Sequence, residues 1–204
     1  MVDLYIQGGG FMHPILVLWI IGLAIGIAKL FLLFRAGVNT RKFMANIRHA
    51  LKEGGINNAL EICEKTRGPV ASIMHAGLSR AKDGVDSAEK AITNAGSIEM
   101  AFLERGMIWL AFIIVVAPLL GFTGTVWGMI KAFDAIKEAN DISPAVVAGG
   151  ISQALLTTLF GLVVAMTVQL LYNIATARID KLIIDMEEAS ADLVDTLIDM
   201  KSAR

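Results

Sequence analysis

The chain has 204 residues, 55% of them hydrophobic, with a mean hydropathy of +0.64 and a formal net charge of −1. A soluble domain of this length is far more polar, so the composition excludes an ordinary water-soluble enzyme or binding module and points to a membrane protein. No cofactor, metal or nucleic-acid partner is expected, and the single cysteine, Cys63, offers no disulfide framework.

The charges are unevenly laid out. Asp3 is the only one before Lys29, none lies between Arg105 and Lys131, and none between Asp141 and Arg178. Three apolar spans fill these gaps, at about 11–34, 106–130 and 142–177, and each exceeds the ~20 residues that cross a bilayer. The third is longer than the membrane requires, so it should tilt or project as a continuous helix. The fold class is all-α: an integral membrane protein of three transmembrane helices with long helical cytoplasmic extensions.

The glycines at 8–10 make residues 1–10 a flexible lead-in, and no small-residue cleavage site ends the first span, which reads as a retained anchor. His13, at the mouth of that span, is expected to be an interfacial side chain. Gly22 and Gly26 form a GxxxG suited to helix contact, placing this helix against the outside of the other two. Arg35, Arg41, Lys42 and Arg48 follow the span and Arg105 precedes the next, which makes this segment the cytoplasmic side. The expected organisation is a periplasmic N-terminus and first helix (1–34), a cytoplasmic helical region (35–105), the second helix (106–133), a short periplasmic turn (134–145), the third helix (146–177) and a cytoplasmic C-terminal helix (178–204). Lys131, at the outer end of the second helix, and Lys137, in the outer turn, are offset by Asp134, Glu138 and Asp141.

Within 35–105, Phe43, Ile47 and Leu51 suggest one helix ended by Gly54 and Gly55. Ile56, Leu60 and Cys63 suggest a second, ended by Gly68 and Pro69, and Val70, Ile73, Met74 and Leu78 a third that stops near Gly84. Asp86 and Glu89 resemble a capping box, after which one long helix should rise unbroken into the second span. Pro118 should kink that span, with Trp127 and Trp109 as interfacial anchors at its two ends. Beyond 177, Ile179, Leu182, Ile183, Met186, Leu193, Leu197 and Met200 recur at helical spacing among acids, predicting an amphipathic tail whose apolar face meets the 36–105 region.

The most informative pattern lies in the second and third spans. Ala117, Gly121, Thr125 and Gly128 fall on one helical stripe, and Gly150, Ala154, Thr158, Gly161 and Ala165 on another. Small residues let helices approach closely in lipid and threonines bond between them, so these stripes mark packed or water-facing surfaces. Gly121, Gly124, Gly128, Gly150 and Gly161 are the packing candidates, and Pro118 the kink. Both spans carry hydroxyls and amides but no ionisable group, whereas an ion pathway normally holds an intramembrane carboxylate. If this chain conducts ions, the titrating group must come from another chain. Each threonine alone is also explained by a bond to the carbonyl one turn earlier. No phosphate loop, zinc motif or nucleophile–base set is present, so an enzyme is not expected.

The same residues carry a resemblance. APLLGFTGTVWGMIKAF at 117–133 and GGISQALLTTLFGLVVA at 149–165 resemble the second- and third-helix signatures of the MotA/TolQ/ExbB proton-channel family, closest to its ExbB and TolQ branch. The resemblance implies an inner-membrane homopentamer whose second and third helices line a pore. That pore surrounds the single helices of an ExbD/TolR-type partner bearing the proton-accepting aspartate, and proton flow transmits force to a TonB- or TolA-type periplasmic-spanning protein. By motif, the family's two pore-facing threonines correspond to Thr125 and Thr158; Gln153 and Thr157 join them as pore-lining candidates, and membrane lipids are the surrounding partner. Gln153 stands where familiar members have Glu, and Thr167 where many have proline, which leaves proton or sodium open as the coupling ion. The implied function is ExbB-like coupling of proton motive force to outer-membrane transport; a TolQ-like envelope-maintenance motor and a non-conducting membrane scaffold are the alternatives.

Overall fold

A computed structural model describes residues 2–37, 39–139 and 144–202, and among these every regular element is helical. In order they are α1 (Val2–Gln7), α2 (Met12–Ala36), α3 (Thr40–Lys65), α4 (Pro69–Arg80), a 3-10 turn (Ala81–Asp83), α5 (Val85–Glu104), α6 (Met107–Ala139) and α7 (Pro144–Ser202). Three helices, α2, α6 and α7, contain stretches long and apolar enough to cross a membrane, as the charge gaps predict. The protein is a multi-pass membrane protein of all-α class.

The chain divides into two compact units, one of Met1–Lys29 with Gly106–Ile174 and one of Leu30–Arg105 with Ala175–Arg204. The first unit holds the apolar lengths of α2, α6 and α7. Their contacts run through small residues: a Cβ on Gly22 would fall 2.7 Å from Val168 Cγ2 and 3.5 Å from Ile113 Cδ1, and one on Gly26 would fall 2.7 Å from Leu171 Cδ1. The predicted GxxxG therefore meets both other helices. Few of the apolar side chains are enclosed: 22–28% of the residues in the three most apolar stretches are buried within the chain. Phe112, Val115, Leu119 and Phe122 of α6 stand at least half exposed, and so much outward apolar surface requires lipid or neighbouring chains to cover it.

The second unit is a water-soluble-type helical core. Asn39 caps α3 by accepting from the Lys42 N–H at 3.2 Å, and Pro69 starts α4 at the position where its missing N–H costs nothing. Phe43, Ile47 and Leu51 of α3, Val70, Ile73, Met74 and Leu78 of α4, and Ile92 of α5 are buried together with Leu182, Met186, Leu193 and Leu197 of α7. At Gly77, where a Cβ would stand 2.6 Å from Ile92 Cγ1 and 3.1 Å from Leu193 Cδ2, α4 lies against both α5 and α7. The tail's apolar face thus meets the 36–105 region as its periodicity predicts. Arg48 also pairs with Asp192 at 2.7 Å, an exposed contact worth under about 1 kcal/mol.

Several local expectations need correction. Residues 2–7 form α1 instead of a flexible lead-in, because Gly9 at φ +69° turns the chain back and Met12 fills the space beneath Gly8. The break at Gly54–Gly55 is present as a kink inside α3, with Gly55 at φ +69°. Asp86 does not head a capping box: Gly84 holds the N-cap with no side-chain bond, and Asp86 lies in the first turn, where a negative charge suits the helix dipole. The rise from α5 into α6 is not continuous either. Arg105 leaves the helical region at ψ 127° and Gly106 follows at φ +91°, a left-handed conformation that glycine takes at least cost. Pro118 lies within α6, which stays helical from Met107 to Ala139 and so runs past the expected end at 133. Of the outer turn, Asp141 lies outside the described residues.

Cys63 is buried in the second unit, and burial, with the charge of Glu64 adding, pushes its thiol up to about 11. Because the folded form holds its proton above the thiol's ordinary 9.0, folding stability is intact below that value and declines as pH rises from there toward about 11. At neutral pH, maleimide labelling of Cys63 is expected to be slow in folded protein and to become rapid on denaturation. Equally rapid labelling of both forms would show the thiol to be accessible.

Candidate functional site

The two small-residue stripes face each other along α6 and α7. A Cβ on Gly161 would fall 2.6 Å from the Ala117 carbonyl oxygen and one on Gly121 would fall 2.8 Å from that of Thr157, so backbone meets backbone there. Gly128 and Gly150 continue the seam, with the Gly150 oxygen 3.0 Å from the position of a Gly128 Cβ. Only residues without side chains permit this approach, which is why the spacing of four, four and three recurs on both helices.

Midway along the seam, the hydroxyls of Thr125 and Thr158 hydrogen-bond to each other. Thr125 Oγ1 also lies 3.3 Å from Gly121 O and 3.2 Å from Ala154 O, and Thr158 Oγ1 lies 3.2 Å from Gly121 O. Two hydroxyl protons therefore face more acceptors than they can satisfy at once, so the pair can re-orient without breaking the seam. The contact from Thr125 to Gly121 O is the one-turn back-bond expected of any membrane threonine; the cross-helix contacts of both residues go beyond it. Neither hydroxyl titrates, and the apolar lengths of α6 and α7 supply no ionisable group beside them.

The remaining site candidates separate from this pair. Thr157 is buried with 1% exposure, donates to Ala154 O at 2.8 Å and occupies the space left by Gly124, where a Cβ would fall 2.6 Å from its Oγ1. Gln153, half-buried, places its carboxamide against Gly9 in the turn between α1 and α2, so tightly that a Cβ at Gly9 would overlap it. Trp127 packs near Phe11 with ring centroids 6.4 Å apart and lies under the Lys131 ammonium at 6.0 Å; it and Trp109 stay about half exposed, as expected of anchors. His13 makes an edge contact with Tyr5 at 5.5 Å and accepts no metal-type neighbour, since no cluster of three ligating side chains occurs among the described residues.

One contact had no signal in the sequence. The Trp19 indole donates to Thr167 Oγ1 at 3.0 Å, while Thr167 itself donates to Val164 O at 2.9 Å. These two residues lie 148 positions apart, and no periodicity links them. The bond ties α2 to α7 within the first unit.

Comparison with known proteins agrees with the motifs. Residues 65–188 match the MotA/TolQ/ExbB proton channel family. A biopolymer transport protein ExbB homolog of Methanothermobacter thermautotrophicus is 32% identical over 180 residues, covering 88% of this chain and 64% of the relative. Biopolymer transport protein ExbB of Pseudomonas putida is 30% identical over 188 residues, covering 86% of this chain and 55% of its own length. Tol-Pal system protein TolQ of Haemophilus influenzae is 35% identical over 91 residues, 45% of this chain and 40% of that protein. The chain thus spans less than two thirds of each of these relatives. The matched region contains both glycine and threonine stripes and the whole of α6, and on that footing the chain belongs to the MotA/TolQ/ExbB proton channel family.

Proposed function

We propose that this protein is the pore-forming subunit of an ion-driven motor in a bacterial inner membrane. Five copies would surround the single-span helices of an ExbD/TolR-type partner, with the N-terminus periplasmic and the C-terminus cytoplasmic. The observation that carries the reading is the Thr125–Thr158 hydroxyl pair, built from both family motifs at a seam that has no ionisable group of its own. A channel with hydroxyls and no carboxylate needs the titrating group from a partner, and the extensive outward apolar surface of α6 is suited to meeting further chains. Hydroxyl and carbonyl oxygens serve either a relayed proton or a partly dehydrated sodium ion, and the partner's carboxylate would decide between them.

Within this class, ExbB-like coupling of proton motive force to TonB-dependent outer-membrane transport is the preferred reading, because two ExbB-named relatives match 86% and 88% of the chain, with other ExbB-named relatives at 38–55% and a TolQ relative at 45%. A scaffold reading also has an observation behind it: every hydroxyl of the seam is satisfied within one chain. Native mass spectrometry of the gently extracted complex, with and without a co-expressed single-span neighbour bearing an intramembrane aspartate, separates the two. A ring of five copies that retains the neighbour is expected. A monomer or dimer that ignores it would leave the seam as packing alone.

A further inference from the structure

The second unit contains an open groove of about 930 Å³ that the motor reading does not use. It lies between the last turns of α2, the α3–α4 connection and the C-terminal half of α5, within the ~300–1,000 Å³ range of small-ligand sites. Part of its lining is apolar: Phe31 and Phe102 are 69% and 52% exposed, and Phe31 continues the apolar run of α2 to the point where its first arginine appears. Beside these rings the lining carries charge. Arg35 and Arg67 bring two guanidiniums to the groove and Glu99 a carboxylate, and none of the three makes a hydrogen bond or ion pair among the described residues. A fourth charge, Glu64, already has His75 Nε2 at 3.6 Å.

This charge layout is selective. Two uncommitted guanidiniums beside an apolar wall match a phosphate diester whose acyl chains lie along that wall, since planar guanidinium donors fit phosphate oxygens in pairs. The uncommitted carboxylate would repel a purely anionic headgroup but complements a primary ammonium. Position agrees with chemistry: the groove opens at the charged end of a membrane-spanning helix, where phosphates of a bilayer leaflet lie.

We propose that this groove binds an aminophospholipid from the bilayer, its phosphate between Arg35 and Arg67, its ammonium toward Glu99 and its acyl chains against Phe31 and Phe102. Such a lipid would fix the last turns of α2 against α3–α4 and α5 within the second unit. The site does not depend on ion conduction.

The test uses the full-length protein reconstituted with equal amounts of phosphatidylethanolamine, phosphatidylglycerol and phosphatidylcholine, then extracted mildly for native mass spectrometry of retained lipid. Phosphatidylethanolamine should be retained over the other two. Retention should fall about tenfold in Arg35→Ala/Arg67→Ala, as expected when charge-assisted bonds to a phosphate are lost. Glu99→Gln should keep lipid bound but remove the preference for the amine over phosphatidylglycerol. Arg35 and Arg67 are exposed and Glu99 is half-buried with no side-chain bond among the described residues, so the variants should fold, which unchanged thermal unfolding would verify. Unaltered retention in the double arginine variant would overturn the proposal, as would a wild-type preference for phosphatidylglycerol. Efficient disulfide cross-linking between copies through Ser72→Cys, at the groove wall, would assign the groove to a second chain instead.

Discussion

Thr158→Val is expected to abolish ion flux through the reconstituted complex, lowering it by about tenfold or more, while leaving assembly intact. Valine has nearly the shape of threonine but lacks the hydroxyl that bonds Thr125 and Gly121 O. The structural cost is small, because Gly121 O keeps its helical partner and an interhelical hydrogen bond in a bilayer averages about 0.6 kcal/mol. The functional cost is large if ions pass along this pair, since the route then loses a relay oxygen that no neighbouring side chain replaces. Thr125→Val should act alike, and the double variant should be no worse than either single one, as expected for groups that work as a unit. Thr123→Val serves as the control, because Thr123 is exposed and bonds only Leu119 O, at 2.8 Å. Full flux in both Thr125→Val and Thr158→Val would remove the pair from the mechanism and favour the scaffold.

The second large effect is steric. Gly161→Ala puts a methyl where the nearest atom is the Ala117 carbonyl oxygen at 2.6 Å, with Gly121 Cα at 3.2 Å. Both are backbone and cannot rotate away, so α6 and α7 must separate. Overpacking of this kind costs about 1–3 kcal/mol, and separation also parts the hydroxyls of Thr125 and Thr158. The variant should therefore lower both the apparent Tm in detergent and the flux, whereas Gly149→Ala, with nothing within 4 Å, should change neither. Equal behaviour of the two alanine variants would contradict the close approach. Gly124→Ala is the intermediate case, since the obstruction there is the Thr157 side chain, which has some freedom to move.

The amino-acid sequence by itself determined the membrane class, the three apolar helices and the two stripes. These depend on local quantities: a gap in charge long enough to cross a bilayer, and small residues recurring at helical spacing. The motifs at 117–133 and 149–165 made the family legible for the same reason, being contiguous. Short-range punctuation was read less well. A helix unbroken from Asp86 into the second span was expected, yet Arg105 ends α5 and Gly106 follows at positive φ.

Only the tertiary structure decided what the stripes face. Periodicity puts Ala117, Gly121, Thr125 and Gly128 on one side of a helix, but a partner helix, lipid and water all fit that pattern. The partner turned out to be the matching stripe of α7, with Thr125 and Thr158 joined across it and Gln153 turned aside toward Gly9. The Trp19–Thr167 bond and the gathering of Arg35, Arg67 and Glu99 around one groove are of the same kind. They join residues far apart in sequence, and such contacts are set by how whole helices pack, because each helix alone is satisfied without them.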